Sequence, residues 1–241
     1  MFSNFTTESR WEPHDKNPIQ PYNNMKTQMT LKTALVLTTL VLSCLPQLAA
    51  AQGTLYASNL GQTPTGSAVI GSDRWIAQNF TTGIDPNGYN LDSIQLLMDG
   101  TSGSPSGFSV SIFSSLGNGS PGSSLGNLSG SDPASGGVFI YTASGIMLSP
   151  SSSYFVVVTA ATPVSQGAYG WSAANSSGST QWAIDAVYAS SANGSSWTLI
   201  NGKAAFQMAI YATAAPEPSC LCLLGVGGVV SALFFRNRRK S

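Results

Sequence analysis

The chain has 241 residues and a mass of 25.0 kDa, and only 8% of its residues are charged, against about 25% in an ordinary soluble protein. Ten basic and ten acidic residues give a net charge of zero, but the basic ones concentrate near the two ends. Between residues 53 and 214, two basic residues stand against six aspartates, a net charge of −4. This composition excludes a nucleic-acid partner, which would require a basic stripe. With 42% hydrophobic residues, it indicates a weakly charged globular domain.

The first 28 residues are polar and contain three prolines. A secretory signal seldom begins so far into a chain, which favours a translation start at Met25 or Met29. The alternative is a genuine disordered extension over residues 1–28.

Residues 29–51 have the three regions of a secretory signal peptide. A basic residue precedes an apolar stretch over residues 33–45, a proline interrupts it, and small residues follow. The apolar stretch is short for a membrane-spanning helix. We therefore expect Sec-type export and cleavage after Ala51, with lipoprotein processing at Cys44 as the alternative. The predicted cleavage site comprises Ala49, Ala51 and Gln52.

The region after the signal shows short alternating runs separated by glycine, serine, asparagine and proline. Alternation is clearest in residues 94–98 and 108–112, and residues 154–158 are apolar on both faces, as in a buried central strand. Further strands are predicted at residues 55–58, 75–81, 138–142, 169–173, 181–188, 197–200 and 206–211. About ten such strands predict an all-β domain over residues 52–214, an antiparallel two-sheet sandwich of jelly-roll-like form.

This predicted domain offers few residues for catalysis. It contains no histidine, cysteine or glutamate, which excludes serine and cysteine triads and histidine-based metal sites. Asp85, Asp99 and Asp132 are predicted to stand in turns that contain glycine or proline, where aspartate typically caps its own backbone. Asp73 and Arg74 are adjacent, which suggests a local ion pair. We therefore expect a domain that is not an enzyme and holds no cofactor or metal.

Aromatic residues support a second functional hypothesis. If Trp171, Trp182 and Trp197 were exposed on a sheet face, they would stack on sugar rings and make the domain a carbohydrate-binding module. Extracellular polysaccharide would then be its partner. The structural alternative is that the rings fill the core while their N–H groups find hydrogen-bond acceptors. Two coplanar exposed rings on one surface would favour the binding hypothesis.

Residues 215–241 combine three features in order: a Pro-Glu-Pro motif, an apolar stretch over residues 220–235 and a basic cluster. As a helix, the apolar stretch spans about 24 Å, which approaches the hydrocarbon thickness when its flanking residues snorkel. A basic cluster directly after an apolar helix stays on the cytoplasmic side of a membrane. The motif and the cluster comprise Pro216, Glu217, Pro218, Arg236, Arg238, Arg239 and Lys240.

This tail resembles the PEP-CTERM sorting signal of Gram-negative bacteria. The resemblance implies that Pro216, Glu217 and Pro218 are recognised by a membrane protease of the exosortase type. It also implies that the protein is anchored in the inner membrane before processing and then reaches the cell surface or the extracellular matrix. The expected partners are the Sec-type export machinery, the sorting protease and the membrane.

Several short segments of the domain carry a second resemblance. They are Asn59-Leu60-Gly61 and residues 75–83, 88–94, 110–113, 120–125 and 148–154. Their succession resembles the choice-of-anchor R group of bacterial surface domains, over about residues 55–213. In that group one extracellular domain is joined to different anchoring tails, and no catalytic residue transfers to this chain. We therefore expect an exported, non-enzymatic surface or matrix protein, with the carbohydrate-binding module as the alternative.

Overall fold

The computed structural model describes residues 53–175, 181–202 and 204–216, which form fourteen β-strands and no helix. None of these described residues belongs to a helix of the length and apolarity needed to cross a membrane. The predicted extension (1–28), signal peptide (29–51) and membrane helix (220–235) lie outside the described ranges.

The strands form two sheets in which every pairing is antiparallel. The eight-stranded sheet contains β1 (Thr54–Ser58), β2 (Gly66–Ile70), β4 (Tyr89–Gly103), β7 (Gly137–Thr142), β8 (Met147–Leu148), β10 (Gly167–Ala174), β13 (Ala205–Phe206) and β14 (Met208–Ala214). The six-stranded sheet contains β3 (Trp75–Thr81), β5 (Ser109–Ser115), β6 (Pro121–Leu128), β9 (Ser153–Thr159), β11 (Ala183–Ser191) and β12 (Thr198–Asn201).

The strand order places the long strand β4 at the centre of the eight-stranded sheet, whose main path runs β1-β14-β4-β10-β13. Strands β7 and β8 pair with β4, and β2 pairs with β10. The six-stranded sheet runs β12-β11-β3-β9-β5-β6. Strand β9 therefore has a neighbour on each side, as its apolar sequence predicts.

Alternation of side chains along the strands explains most of this structure. In β4, Ile94, Leu96 and Met98 point into the core and are almost completely buried. The prediction of an all-β fold is confirmed for the described residues. Strands β2 and β6 were not predicted, because their glycines and serines give no apolar alternation.

Both sheets contribute to one hydrophobic core. The eight-stranded sheet supplies Ile94, Leu96, Met98, Trp171 and Ile210, and the six-stranded sheet supplies Ile76, Phe80, Val110, Val156 and Val158, all in a single buried cluster. A smaller cluster of Ala77, Phe155, Val157 and Ala189 lies on the other face of the six-stranded sheet.

Three buried amide side chains meet where β13 ends and β14 begins, and one of them, Gln78, connects the two sheets. We call Asn59, Gln78 and Gln207 the amide junction. Asn59 Oδ1 accepts from the N–H of Met208 (2.7 Å), and its Nδ2 donates to the carbonyl of Phe206 (3.1 Å). From the other sheet, Gln78 Oε1 accepts from the N–H of Phe206 (2.8 Å). These bonds satisfy backbone groups at the break between the two strands, where burial would otherwise make unpaired groups costly.

Candidate functional site

The predicted sorting motif begins directly after the last strand. Pro216 is exposed and is two residues beyond the end of β14. The N–H of Ala215 donates to the carbonyl of Gly88 (2.9 Å), which fixes the chain just before the motif. The other predicted sorting and cleavage residues lie outside the described ranges: Ala49, Ala51, Gln52, Glu217, Pro218, Arg236, Arg238, Arg239 and Lys240.

Two of the three predicted sugar-stacking tryptophans are buried. Trp171 is 0% exposed; its ring stacks on Phe206 at 4.8 Å between centroids, and its Nε1 donates to the carbonyl of Gln207 (3.0 Å). Trp182 is 2% exposed and stacks on Tyr56 at 4.7 Å. Prediction of Trp171 and Trp182 as stacking residues is therefore wrong, because neither ring can reach a ligand in solvent.

Trp197 has a different environment. It is partly buried and packs, with Trp75, Phe113 and Leu199, around the smaller apolar cluster on the six-stranded sheet. We call the three rings of Trp75, Phe113 and Trp197 the outer aromatic face. The centroids of Phe113 and Trp197 are 6.4 Å apart and their planes meet at 74°, an edge-to-face contact. These two rings are not coplanar, so they do not form a flat stacking platform.

The loop between β11 and β12 holds this face in place. Ser191 Oγ accepts from the N–H groups of Asn193 (3.2 Å) and Gly194 (2.9 Å), and Asn193 Oδ1 accepts from the N–H of Ser195 (3.0 Å). Gly194 has φ +73°, and a Cβ there would lie 2.8 Å from the ring of Trp75. Only glycine combines this conformation with such close packing, so the loop sequence is matched to the ring beneath it.

Polar groups lie on the same side of the six-stranded sheet as the outer aromatic face, toward the other end of β3 from Trp75. Thr81 lies on the side of β3 that carries Trp75, because side chains alternate along a strand. The hydroxyls of Thr81 and Ser153 are 3.0 Å apart, and Thr81 donates to Asp185 Oδ2 (3.4 Å). Burial raises the pKa of the Asp185 carboxyl, and the hydrogen bond from Thr81 opposes that rise. The surface therefore combines aromatic rings, hydroxyls and one carboxylate.

All six described aspartates accept hydrogen bonds. The donors are the N–H of Val164 to Asp73, the N–H of Asn87 to Asp85, the hydroxyl of Thr213 to Asp92, the hydroxyl of Ser67 to Asp99, the N–H of Gly107 to Asp132 and the hydroxyl of Thr81 to Asp185. The bond to Asn87 confirms local capping by Asp85. Asp99 belongs to β4, so its predicted position in a turn is wrong. Asp132 binds a distant segment rather than its own turn, which also differs from the prediction.

Asp132 is part of a phenol–carboxylate group. The hydroxyl of Tyr169 donates to Asp132 Oδ2 (3.0 Å), while that of Tyr141 donates to the carbonyl of Ser131 (3.2 Å). Burial, assisted by Asp132, raises the pKa of Tyr169 to about 12 and raises the pKa of Tyr141 as well. Both phenols stay protonated near neutral pH, so they serve as hydrogen-bond donors rather than as bases. In the described part of the chain, no three acidic, histidine or cysteine residues group as metal ligands.

The sequence contained a signal for one member of the outer aromatic face that was missed. Residues 108–112 alternate, so Phe113 falls on the hydroxyl side of β5 with Ser109 and Ser111. An aromatic residue on a polar strand face is an indicator of a surface cluster. No protein family, curated protein or solved structure matches this chain.

Proposed function

We propose that the protein is an exported, non-enzymatic component of the cell surface or extracellular matrix, carried there by its C-terminal sorting tail. The observation that carries this proposal is the position of Pro216. It is exposed, and Ala215 before it is tied to Gly88, so the Pro-Glu-Pro motif begins immediately outside the fold. A protease at the membrane needs an extended, accessible segment of this kind.

The order of the sequence features supports the same proposal. The signal ending at Ala51 directs Sec-type export, and the helix over residues 220–235 anchors the chain in the inner membrane of a Gram-negative bacterium. The basic cluster from Arg236 onward fixes the orientation. An exosortase-type protease then processes the tail, and the all-β domain, a jelly-roll-like sandwich, remains outside.

The hydrogen bonding of the aspartates supports a non-enzymatic role. Asp73 and Asp132 bind backbone N–H groups of distant segments, at 2.9 Å and 2.8 Å. Asp92 accepts from the hydroxyl of Thr213 on the neighbouring strand β14 (2.7 Å), and Asp99 accepts from the hydroxyl of Ser67 on β2, on the other side of β10 (2.8 Å). Carboxylates used in this way hold loops and strands together. A glycosidase would instead need two carboxylates facing one another across a substrate.

Intact-mass analysis of the mature protein tests the sorting proposal. In a host that contains an exosortase-type protease, the mature protein should lack Phe234 to Lys240, whereas it should keep them in a host without the protease. Replacing Pro216, Glu217 and Pro218 together by alanine should retain the tail in both hosts. A wild-type protein that keeps its tail in the competent host would contradict the proposal.

Carbohydrate recognition is a second candidate function, and Trp197 is the observation that favours it. Its partly exposed ring lies beside Phe113 and close to the hydroxyl-bearing strands of the six-stranded sheet. Retention of the protein on immobilised neutral polysaccharide should fall on Trp197→Ala and persist on Trp197→Phe. Absence of retention by the wild-type protein on every polysaccharide tested would exclude this role.

A further inference from the structure

An open cavity of about 470 Å³ lies where the edge strand β2 of one sheet approaches β11 of the other. We call it the end cleft. Its lining includes Thr65, Arg74, Asn175, Tyr188 and Phe206. Its volume falls within the range of about 300–1,000 Å³ that is typical of small-molecule sites. The end cleft is separate from the outer aromatic face, since none of Trp75, Phe113 and Trp197 lines it.

Arg74 gives the end cleft its charge. Residues Gly71 and Arg74 close a tight turn through two backbone hydrogen bonds (3.1 and 3.2 Å), which fixes the position from which the side chain extends. Asp73, its neighbour in sequence, instead accepts from the N–H of Val164 (2.9 Å). The predicted ion pair between Asp73 and Arg74 is therefore absent.

The guanidinium of Arg74 is exposed and forms no hydrogen bond or ion pair with any described residue. Within the described ranges it is also the one basic side chain, among six aspartates. The backbone that carries this guanidinium is fixed by the turn, and no described carboxylate pairs with it. The guanidinium is therefore suited to bind an external anion. Its planar pair of N–H groups matches the two oxygens of a carboxylate.

The partly exposed ring of Tyr188 forms one wall of the end cleft, and the buried ring of Phe206 packs behind it. The rings of Tyr188 and Phe206 meet edge to face with centroids 5.0 Å apart, and Phe206 is backed by the buried ring of Trp171. Because Trp171 is held by its bond to the backbone, this wall is rigid before any ligand arrives. A pyranose ring presents an apolar C–H face to such a wall and directs its hydroxyls sideways.

Neutral polar groups also line the end cleft. Thr65 Oγ1 donates to Asn175 Oδ1 (3.1 Å), and an asparagine amide carries N–H donors on its Nδ2 as well. The hydroxyl of Tyr188 makes no hydrogen bond with the described residues, and it serves as a further donor or acceptor. Groups of this kind bind sugar hydroxyls.

We infer that the end cleft binds an acidic sugar, with the carboxylate of a uronic acid on Arg74 and its ring against the partly exposed ring of Tyr188. Arg74 is the one cationic side chain among the described residues that line the cleft, and a single guanidinium fits a sugar carboxylate better than a phosphate, which is usually bound by several cations or by converging backbone N–H groups. This inference goes beyond the proposed function, because surface sorting requires no ligand. It is also independent of neutral-sugar binding at Trp197.

Titration calorimetry of the detergent-solubilised full-length protein with trigalacturonate tests the inference. We expect binding that weakens as salt concentration rises, because the carboxylate–guanidinium contact is open to solvent. The neutral galactose trimer of the same linkage should bind at least about tenfold more weakly. Inorganic phosphate should not compete at comparable concentration.

Three variants locate the site. Arg74→Gln should weaken trigalacturonate binding at least about tenfold. The affinity of Arg74→Lys should lie between those of the wild-type protein and Arg74→Gln, because lysine keeps the charge but lacks the planar guanidinium. Trp197→Ala is the matched control and should leave this binding unchanged. Thermal unfolding should remain the same in Arg74→Gln, since the side chain makes no bond in the fold.

Several outcomes would overturn the inference. They are absence of trigalacturonate binding by the wild-type protein, equal binding of the neutral trimer, or unchanged affinity in Arg74→Gln. Loss of binding in Trp197→Ala with retention in Arg74→Gln would move the ligand to the outer aromatic face. None of these results bears on tail processing, which the intact-mass experiment tests separately.

Discussion

The inter-sheet core and the outer aromatic face use tryptophan in two different ways. Trp171 and Trp182 lie between the two sheets and are almost completely enclosed. Trp75 and Trp197 lie on the far side of the six-stranded sheet, where the loop between β11 and β12 packs on Trp75. The comparison shows that a strand position alone does not decide whether an aromatic ring is structural or available. The ring is structural when another sheet covers the face to which it points, and available when that face is open to solvent.

The largest expected loss of stability is in the inter-sheet core, at Trp171. Trp171→Ala should lower the free energy of unfolding by about 3–5 kcal/mol, because it leaves a cavity between the sheets and exposes the ring of Phe206 to it. Urea denaturation measures this change. Trp171→Phe should recover most of the loss, since it refills the cavity. A loss below about 1 kcal/mol would show that this region is not a tightly packed core.

The amide junction should be the next most sensitive point of the inter-sheet core. Asn59→Ala removes two buried hydrogen bonds to the backbone and should cost about 2–3 kcal/mol. Asn118→Ala is the matched control, because Asn118 caps Ser120 in an exposed turn where water can replace it. Its cost should stay under about 1 kcal/mol. Equal losses in the two variants, again by urea denaturation, would contradict a special role for the junction.

The outer aromatic face should tolerate a similar truncation with a smaller loss. Trp197→Ala should lower the free energy of unfolding by about 1 kcal/mol, because the ring is partly exposed and one sheet supports it. The tryptophan fluorescence of the wild-type protein should lose a partly solvent-exposed component in this variant. A loss as large as that of Trp171→Ala would remove the distinction between the two regions.

The smallest expected effect is a gain in stability rather than a loss, and it concerns the carboxyl of Asp185 on the six-stranded sheet. Because burial raises the pKa of Asp185 above its ordinary value of 3.8, the folded protein binds this proton more tightly than the unfolded chain does. Stability contributed by the protonated carboxyl is present below pH 3.8 and is lost as the pH rises through the higher folded value.

Asp185→Asn removes this cost and keeps an acceptor for the hydroxyl of Thr81. At pH 7 the variant should be more stable by under about 1 kcal/mol, because the carboxyl is only partly buried. Thermal unfolding across the pH range measures the difference, which should vanish below pH 3.8. A destabilised variant at pH 7 would mean that the charge itself is used in the folded state.

The sequence predicted the strands well where side chains alternate and poorly where they do not. Residues 94–98 and 154–158 lie in β4 and β9, as their apolar patterns indicate. Strands β2 and β6 consist largely of small residues, and pairing with neighbours defines them rather than any pattern of their own. The sequence of a single strand does not indicate such pairing, so β2 and β6 could not be predicted from hydrophobic periodicity.

Whether a candidate site residue is exposed could not be predicted from the sequence of its own strand. Trp171 and Trp197 both occur in predicted strands, but the cover over each ring comes from distant segments. Gln78 shared an apolar face with Ile76 and Phe80 in the sequence, and the structure shows that this amide bonds the backbone of the opposite sheet. The position of Arg74 at the end cleft arises from the turn that carries the chain from one sheet to the other.

The position of β14 has a mechanical consequence for a protein held by its C-terminal end. Strand β14 lies between β1 and β4, and its residues Met208–Ala214 pair with β4 along their whole length. Tension applied at Pro216 acts along this strand, so the hydrogen bonds on both sides are loaded in shear and resist together. An edge strand pulled sideways would instead open one bond at a time. If the proposed C-terminal tail anchors the protein, the strand that connects the fold to it is hard to extract.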